Sequence, residues 1–343
     1  MATKGAYVLT YRDLMSRLKG DKTFDSEIVE ILTEQNPMLD DMVISEANDG
    51  SSNKTTIRTG LPNAAWTAFY EGVQGSKGSV KQIRNTAGML ESKVEIAKGM
   101  YDQAPDKSAL LRDEIEQHSE AMMNEMADCL IYGKIATEPK KFNGLVNFFS
   151  TLGGATSTDD TLSKHYVFSG KSPSQVSTAA LRSIWLVGWG QKSIRCFYPR
   201  GSQGGMKKGE FKLVDVTNPD DTTKTYEAYR QYLSWQLGLD VRDYRYAGRM
   251  ANIQADEMFD TSGVPEYVEI LRRMVTRVRS GGVRQVWYMD KLTWEAVGVW
   301  LARKTMTNAI GFKDLQERPT ETLFGIPVRI CDALNSNETE VTA

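Results

Sequence analysis

The stretch Pro105 to Gly133, PDKSALLRDEIEQHSEAMMNEMADCLIYG, has no proline or glycine between its ends and reads as one uninterrupted helix. Leu111, Ile115, Met122, Met126 and Cys129, with His118 filling the step after Ile115, recur at intervals of 4, 3, 4, 4 and 3 residues. That is the period of one helical face. Asp106 stands where an N-cap carboxylate would accept the first free N–H groups, and Gly133 where a left-handed C-cap residue is wanted. Asp113, Glu114, Glu116, Glu120 and Glu125 lie mostly off the apolar line. Such a helix runs about 40 Å, longer than a small domain is wide. It is either a surface helix on a larger core or a spine with sheets attached at both ends.

The chain's 343 residues are enough for two or three domains. A hydrophobic content of 41% and a charged content of 25% are those of an ordinary globular protein. The formal net charge of −2 gives no global field directed at nucleic acid or an acidic membrane. Cys129, Cys196 and Cys331 are odd in number and far apart, which argues for a reducing compartment over a disulfide framework. The first residues lack the apolar core of a signal peptide, and no apolar run approaches a membrane span.

Taken in order, residues 1–45 read as an arm. Phe24, Ile28, Ile31 and Leu32 make one short amphipathic helix, stopped by Asn36-Pro37, too small to build its own core. Residues 46–88 read as a long, thin β-excursion with glycine-rich joints. Its strands are Lys54–Thr59 and Val80–Asn85, and Trp66 to Tyr70 alternate with strand period. A two-stranded ribbon is marginal alone, so this one either folds flat on its own domain or pairs with another chain. Met89 to Met100 alternates with Leu90, Val94 and Ile96 inward and leads into the helix. Residues 153–163 are a small, polar loop. Beyond Ser177 come short strands at Ser183–Gly190, Ser193–Tyr198, Glu210–Val216, Tyr226–Leu233 and Leu239–Ala247. A helix then runs through Val264, Val268, Leu271, Val275 and Val278, followed by a strand at Val286–Met289. Asp290 caps a helix through Trp294, Val297, Leu301 and Lys304, and a last strand covers Ile326–Cys331. Fold class is therefore α+β.

The residues that carry chemistry are sparse. The only histidines are His118, on the helix line, and His165, beyond a loop with no ligand at metal spacing. No Cys-x-x-Cys, His-Glu-x-x-His or Gly-x-Ser-x-Gly is present. The glycine stretches Gly72–Ser79 and Gly201–Gly209 are out of Walker register and read as turns. Arg272, Arg273, Arg277, Arg279 and Arg284 form a basic cluster diluted by Glu266 and Glu269. It reads as a face that pairs with acids, with a phosphate-facing patch as the alternative. No catalytic residue, metal or cofactor is expected.

An ordered set of short stretches carries a family resemblance. It begins with Ile31-Leu32 and Pro37-Met38-Leu39-Asp40-Asp41, then Arg58-Thr59-Gly60-Leu61-Pro62 with Trp66, Gly72-Val73-Gln74 and Ser76-Lys77. It continues with Phe142-Asn143-Gly144-Leu145, Ser183-Ile184-Trp185-Leu186-Val187 and Tyr198-Pro199-Arg200-Gly201. Trp235, Gly238-Leu239, Arg245-Tyr246, Arg249, Asn252-Ile253 and Phe324-Gly325-Ile326-Pro327-Val328-Arg329 complete it. Over nearly the whole chain this resembles the major capsid proteins of tailed bacteriophages with the Hong Kong 97 (HK-97) type fold, in the short-tailed branch.

The resemblance implies an arm at 1–45, an extended β-hairpin loop at 46–88 and a peripheral domain at 89–175 containing the spine helix 105–133. An axial domain at 176–311 and a return to the peripheral domain at 312–343 would follow. It implies pentamers and hexamers closing into an icosahedral shell around double-stranded DNA, held without sequence-specific binding. Inter-subunit contacts are expected at Arg58, Trp66, Phe69, Tyr70, Lys77, Lys81 and Arg84. Partners would be the chain itself, scaffolding and portal proteins and a possible decoration protein, with no membrane. The product would be the virion capsid, assembled in the host bacterial cytoplasm. Only about 45 residues precede the loop, so an internal scaffold segment is expected to be absent. Lys77 or Lys81 could stand where some relatives cross-link, with no partner residue matched. The alternatives are a DNA-binding module using the arginine cluster at 272–284, or a cytosolic enzyme with an unrecognised site.

Overall fold

The computed structural model describes residues 36–153, 163–170, 181–202, 204–218, 221, 223–255, 258–259, 264–303, 310–315, 318–334 and 338–342. The arm helix through Phe24 and Leu32, most of the loop after Gly153, Lys304 and the side chain of Arg58 lie outside them. In chain order the first elements are α1 (Met38–Asp41), β1 (Ile44–Glu46), β2 (Ser52–Gly60), β3 (Ser79–Thr86) and β4 (Gly88–Ala97). Next come α2 (Lys98–Gln103), α3 (Lys107–Tyr132), α4 (Leu145–Phe148), β5 (Val167–Ser169), β6 (Leu181–Trp189) and β7 (Ile194–Tyr198). Then follow β8 (Met206–Lys208), β9 (Lys212–Thr217), β10 (Thr225–Val241), β11 (Ala247–Gln254), α5 (Val264–Arg277), β12 (Arg284–Met289) and α6 (Lys291–Arg303). The last are β13 (Ile310–Leu315), β14 (Arg318–Leu323) and β15 (Ile326–Ile330).

The described residues divide into two compact units: 89–126 with 205–236, and 36–88 with 127–204 and 237–342. In the first unit β10 pairs antiparallel with β9 and β8, and also with β4. Val94 and Ile96 of β4 are fully buried while Glu91 and Lys93 point out, the alternation that its sequence dictates. Glu95 accepts from Tyr226 Oη and Arg230 Nη2 at 3.1 Å each, with Lys93 Nζ 2.9 Å away. Burial pushes its carboxyl up, but these three donors together hold it below the ordinary value. Tyr226–Leu233 and Leu239–Val241 fall on a single 17-residue strand, where the sequence reading expects two separate pieces. Its middle residues, Trp235 and Leu237, are buried, so Ser234, Gln236 and Gly238 do not break the pairing.

The long helix is present. Asp106 Oδ1 accepts from the backbone N–H groups of Ser108 and Ala109 at 3.0 Å each, so the N-cap is as expected. The buried line differs from the expected one at its start: Leu110 and Glu114 are buried, and Leu111 and Ile115 only half-buried. Glu114, expected off the line, lies 3.9 Å from His118 Nε2, and His118 Nδ1 bonds Ser92 Oγ of β4 at 2.7 Å. Polar partners on the inner face thus admit a carboxylate where an apolar residue is expected. The last turn, in the second unit, buries Ala127, Cys129, Leu130 and Ile131, while Asp128 among them is only half-buried.

Gly133 corrects a second expectation. It does not adopt a left-handed φ. It is needed because a Cβ there would meet Phe142 O at 2.4 Å and Cys129 O at 2.5 Å. Close approach of the returning chain, sealed by Gly144 N–H donating to Gly133 O at 2.7 Å, is the reason for this glycine.

In the second unit β6 lies between β11 and β12, antiparallel to both. β12 pairs parallel with β15, β15 antiparallel with β14, and β14 antiparallel with β13. The strands β13 and β14 were not anticipated from the sequence. β7 receives β1 in parallel and β10 antiparallel. Trp185, Leu186 and Val187 of β6 and Trp287 of β12 are fully buried, the near-continuous apolar runs of a sheet covered on both faces. Tyr267 of α5 stacks on Trp300 of α6 with centroids 4.5 Å apart. Met274, not Val275, completes the buried face of α5 with Val268, Leu271 and Val278.

Two buried carboxylates, Asp41 and Glu338, tie flanking segments to this sheet. Asp41 of α1 accepts from Tyr288 Oη at 2.9 Å and pairs with Arg284 at 2.7 Å. Burial first, and then the Asp41 carboxylate, push the Tyr288 phenol well above its ordinary range. Arg249, 1% exposed, pairs with Glu338 at 2.8 Å and donates to Phe149 O at 2.9 Å.

Candidate functional site

Half of the exposed large apolar side chains among the described residues lie on the hairpin of β2 and β3. These strands pair antiparallel from Ser52↔Thr86 to Arg58↔Val80, then shift register before Gly60↔Ser79. At that neck a Cβ on Gly60 would meet Ser79 Oγ at 2.6 Å, and one on Gly78 would meet Gly60 O at 3.2 Å. Two glycines therefore let the strands close before the tip opens.

Residues 61–78 form no strand, although Trp66 to Tyr70 alternate with strand period. No edge lies beside them to pair with, and alternation alone cannot satisfy the backbone groups. They form instead a loop held by local bonds. Ala68 N–H donates to Glu71 Oε2 at 3.0 Å, Glu71 N–H to Ala68 O at 3.1 Å, and Ser76 Oγ to Asn63 O at 2.9 Å. Tyr70 sits at φ 72°, a left-handed conformation uncommon for a bulky residue.

Trp66, Phe69 and Tyr70 are 102%, 98% and 109% exposed, so these rings touch almost nothing in their own subunit. Leu61, Val73 and Val80 are exposed beside them in sequence. Lys77 and Lys81 are exposed as well. Arg84 differs: its Nε donates to Ser52 Oγ at 2.9 Å, and its Nη2 lies 3.7 Å from Asp49. Of the seven residues singled out from the sequence, Trp66, Phe69, Tyr70 and Lys77 lie in the tip, Lys81 and Arg84 on β3, and Arg58 on β2.

The foot of the hairpin was not anticipated. Asp240 of β10, fully buried, accepts from Asn53 Nδ2 at 2.5 Å, Thr55 Oγ1 at 3.0 Å and Asn85 Nδ2 at 2.9 Å. Arg242 Nε donates to the same carboxylate at 3.0 Å, and Arg195 Nε lies 3.5 Å away. Asn53 and Asn85 are cross-strand partners. The partner they share lies more than 150 residues along the chain, so the sequence carries no local signal for it.

The arginine cluster does not act as one surface. Arg273 pairs with Glu269 at 2.6 Å, Arg284 with Asp41, and Arg277 donates to His165 O at 3.2 Å while covering the Phe168 ring. An open groove of about 310 Å³ remains beside Glu269, Arg272, Arg273, Thr276 and Arg277. All three cysteines are buried and none is in a disulfide, and burial pushes the Cys196 thiol far up, away from thiolate chemistry. Among the described residues no group of three His, Cys, Asp or Glu could hold a metal, and no helix is long and apolar enough to cross a membrane.

Comparison with known proteins adds the following. The family model described as Major capsid protein GP7 matches residues 20–342. No curated protein matches the sequence. Among solved structures, a chain of the cryo-EM structure of bacteriophage Epsilon15 is similar over 100% of both chains, at 24% identity and a TM-score of 0.67. The bacteriophage JBD30 capsid is similar over 96% of this chain and 100% of its own, at 13% identity and a TM-score of 0.50. These likenesses establish the α+β capsid fold of the HK-97 type.

Proposed function

Because the chain belongs to the major capsid protein GP7 family and forms phage capsid shells, we propose that its β2–β3 hairpin is the extended loop through which neighbouring subunits grip one another. The observation that carries this reading is the trio Trp66, Phe69 and Tyr70, each about fully exposed. Large rings bury 150–250 Å² each when covered, and leaving three in water has no benefit to a lone subunit. A hairpin of two strands gains its stability from what it lies on. Lys77 and Lys81, both exposed, add basic groups to the same excursion, giving the contact a polar rim; Arg58 and Arg84 belong to the same proposed contact surface. Tight holding then comes from many modest contacts repeated around a closed surface.

In this reading subunits form pentamers and hexamers that close into an icosahedral shell around double-stranded DNA. Residues 1–45 are the arm, 46–88 the loop, 89–175 and 312–343 the peripheral domain, and 176–311 the axial domain. Near-neutral net charge suits a wall that contains DNA without gripping it. Scaffolding and portal proteins are the expected helpers, and assembly takes place in the bacterial cytoplasm. The chain acts as a virion building block, with no catalytic role assigned.

Trp66→Ala tests the loop. The variant subunit keeps its circular-dichroism spectrum and melting temperature, since the ring supports nothing in its own fold. Its yield of closed particles falls at least tenfold. A normal particle yield would remove the hairpin from the list of subunit contacts.

A further inference from the structure

From Thr56 to Arg84 no described side chain is buried, so nothing along the hairpin's length ties it down. Its direction is decided at its foot. There the buried Asp240 carboxylate meets one side-chain donor from each of Asn53, Thr55 and Asn85, two on β2 and one on β3. Because Asn53 and Asn85 face each other across the ladder, the carboxylate joins both strands at one rung. The backbone pairing of β2 with β3 needs none of these bonds. An uncompensated buried carboxylate is strongly unfavourable, and the nearby Arg242 and Arg195 guanidinium groups offset its charge. Five polar groups from four separate stretches of chain converge on one anion, at the point where the hairpin leaves the sheet.

We propose that Asp240 is a positioning residue for shell assembly, a clasp that fixes the direction in which the hairpin projects. The proposal rests on the reading of the hairpin as a subunit contact. A lever held at one end transmits any slack to its tip, so a loose foot scatters Trp66, Phe69 and Tyr70 over many positions. Ordering them again on binding then costs conformational entropy that the clasped hairpin has already lost. Asp240→Asn keeps the shape but turns an acceptor-only group into one whose amide hydrogens oppose the donors of Asn53 and Asn85.

The test measures hydrogen exchange on the full-length subunit, kept below its assembly concentration, together with particle yield. In Asp240→Asn the amides of residues 52–57 and 80–86 exchange at least tenfold faster. Those of β6 and β12 stay unchanged, and particle yield falls at least fivefold or the particles become irregular. Should that variant not fold, Thr55→Val and Asn85→Ala each remove one hairpin donor while leaving the carboxylate its arginines, and the same pattern is expected at smaller amplitude. Unchanged exchange in the hairpin overturns the clasp, as does exchange raised equally across the core. Trp66→Ala separates the two readings. If it assembles normally, the hairpin contact itself fails. If it fails to assemble while a loosened Asp240→Asn yields normal particles, only the positioning role of Asp240 falls.

Discussion

Single residues here carry tasks that their chemistry explains once their neighbours are known. Gly133 has two carbonyl oxygens where any Cβ would stand. Gly133→Ala should therefore lower the unfolding free energy by about 1–3 kcal/mol, the usual cost of forcing an extra carbon into a packed site. Urea unfolding checks this, and an unchanged midpoint would mean that the chain at 142–144 yields freely. The sequence marked this glycine as a helix end, which it is, but for the wrong conformational reason. A left-handed cap can be read from spacing alone. Close approach of residues nine and eleven positions away cannot, because the turn that brings them back is set by tertiary packing. Asp106 was legible because its bonds reach only two and three residues ahead. Glu114 was not, since the inner face that receives it includes His118 and, beyond the helix, Ser92 of β4. The same holds for Asn53 and Asn85, whose common partner lies more than 150 residues along the chain.

Some elements follow the pattern of the sequence closely and others do not. β4 alternates as written, and Glu95 gains three donors from its own strand and β10. Its carboxyl titrates below the ordinary value, so it contributes stability above the unfolded pKa, about 4.3. That contribution is lost as pH falls through the lower folded value. Glu95→Gln should flatten the loss of stability below about pH 4.3 and reduce stability at pH 7. Thermal melts from pH 7 to pH 3 check this. A parallel pair of profiles would show that Glu95 has no stake in the acid limb. The hairpin tip went the other way. Trp66 to Tyr70 carry strand period but no strand, because a strand exists only with an edge beside it. Conversely, the two pieces of β10 join into one strand, because neighbours pair with it on both sides of Trp235 and Gly238.

At the scale of the whole molecule, the ordered short stretches from Ile31 to Arg329 were enough to point to a capsid shell. Family membership and the fold now stand on the match over residues 20–342 and the likeness to Epsilon15. What stayed hidden was how the hairpin is mounted. A surface left unburied in one subunit is visible as exposed rings, whereas its support is a buried polar cluster with no local signature. In the proposed reading the exposed rings of Trp66, Phe69 and Tyr70 wait for another copy of the chain. The most direct measurement is electron microscopy of the purified protein, expressed alone and together with its neighbouring phage genes, across a range of concentrations. Rings of five and six subunits, or closed shells, with particle formation lost in Trp66→Ala, are the predicted result. Single subunits at every concentration in both preparations would contradict it.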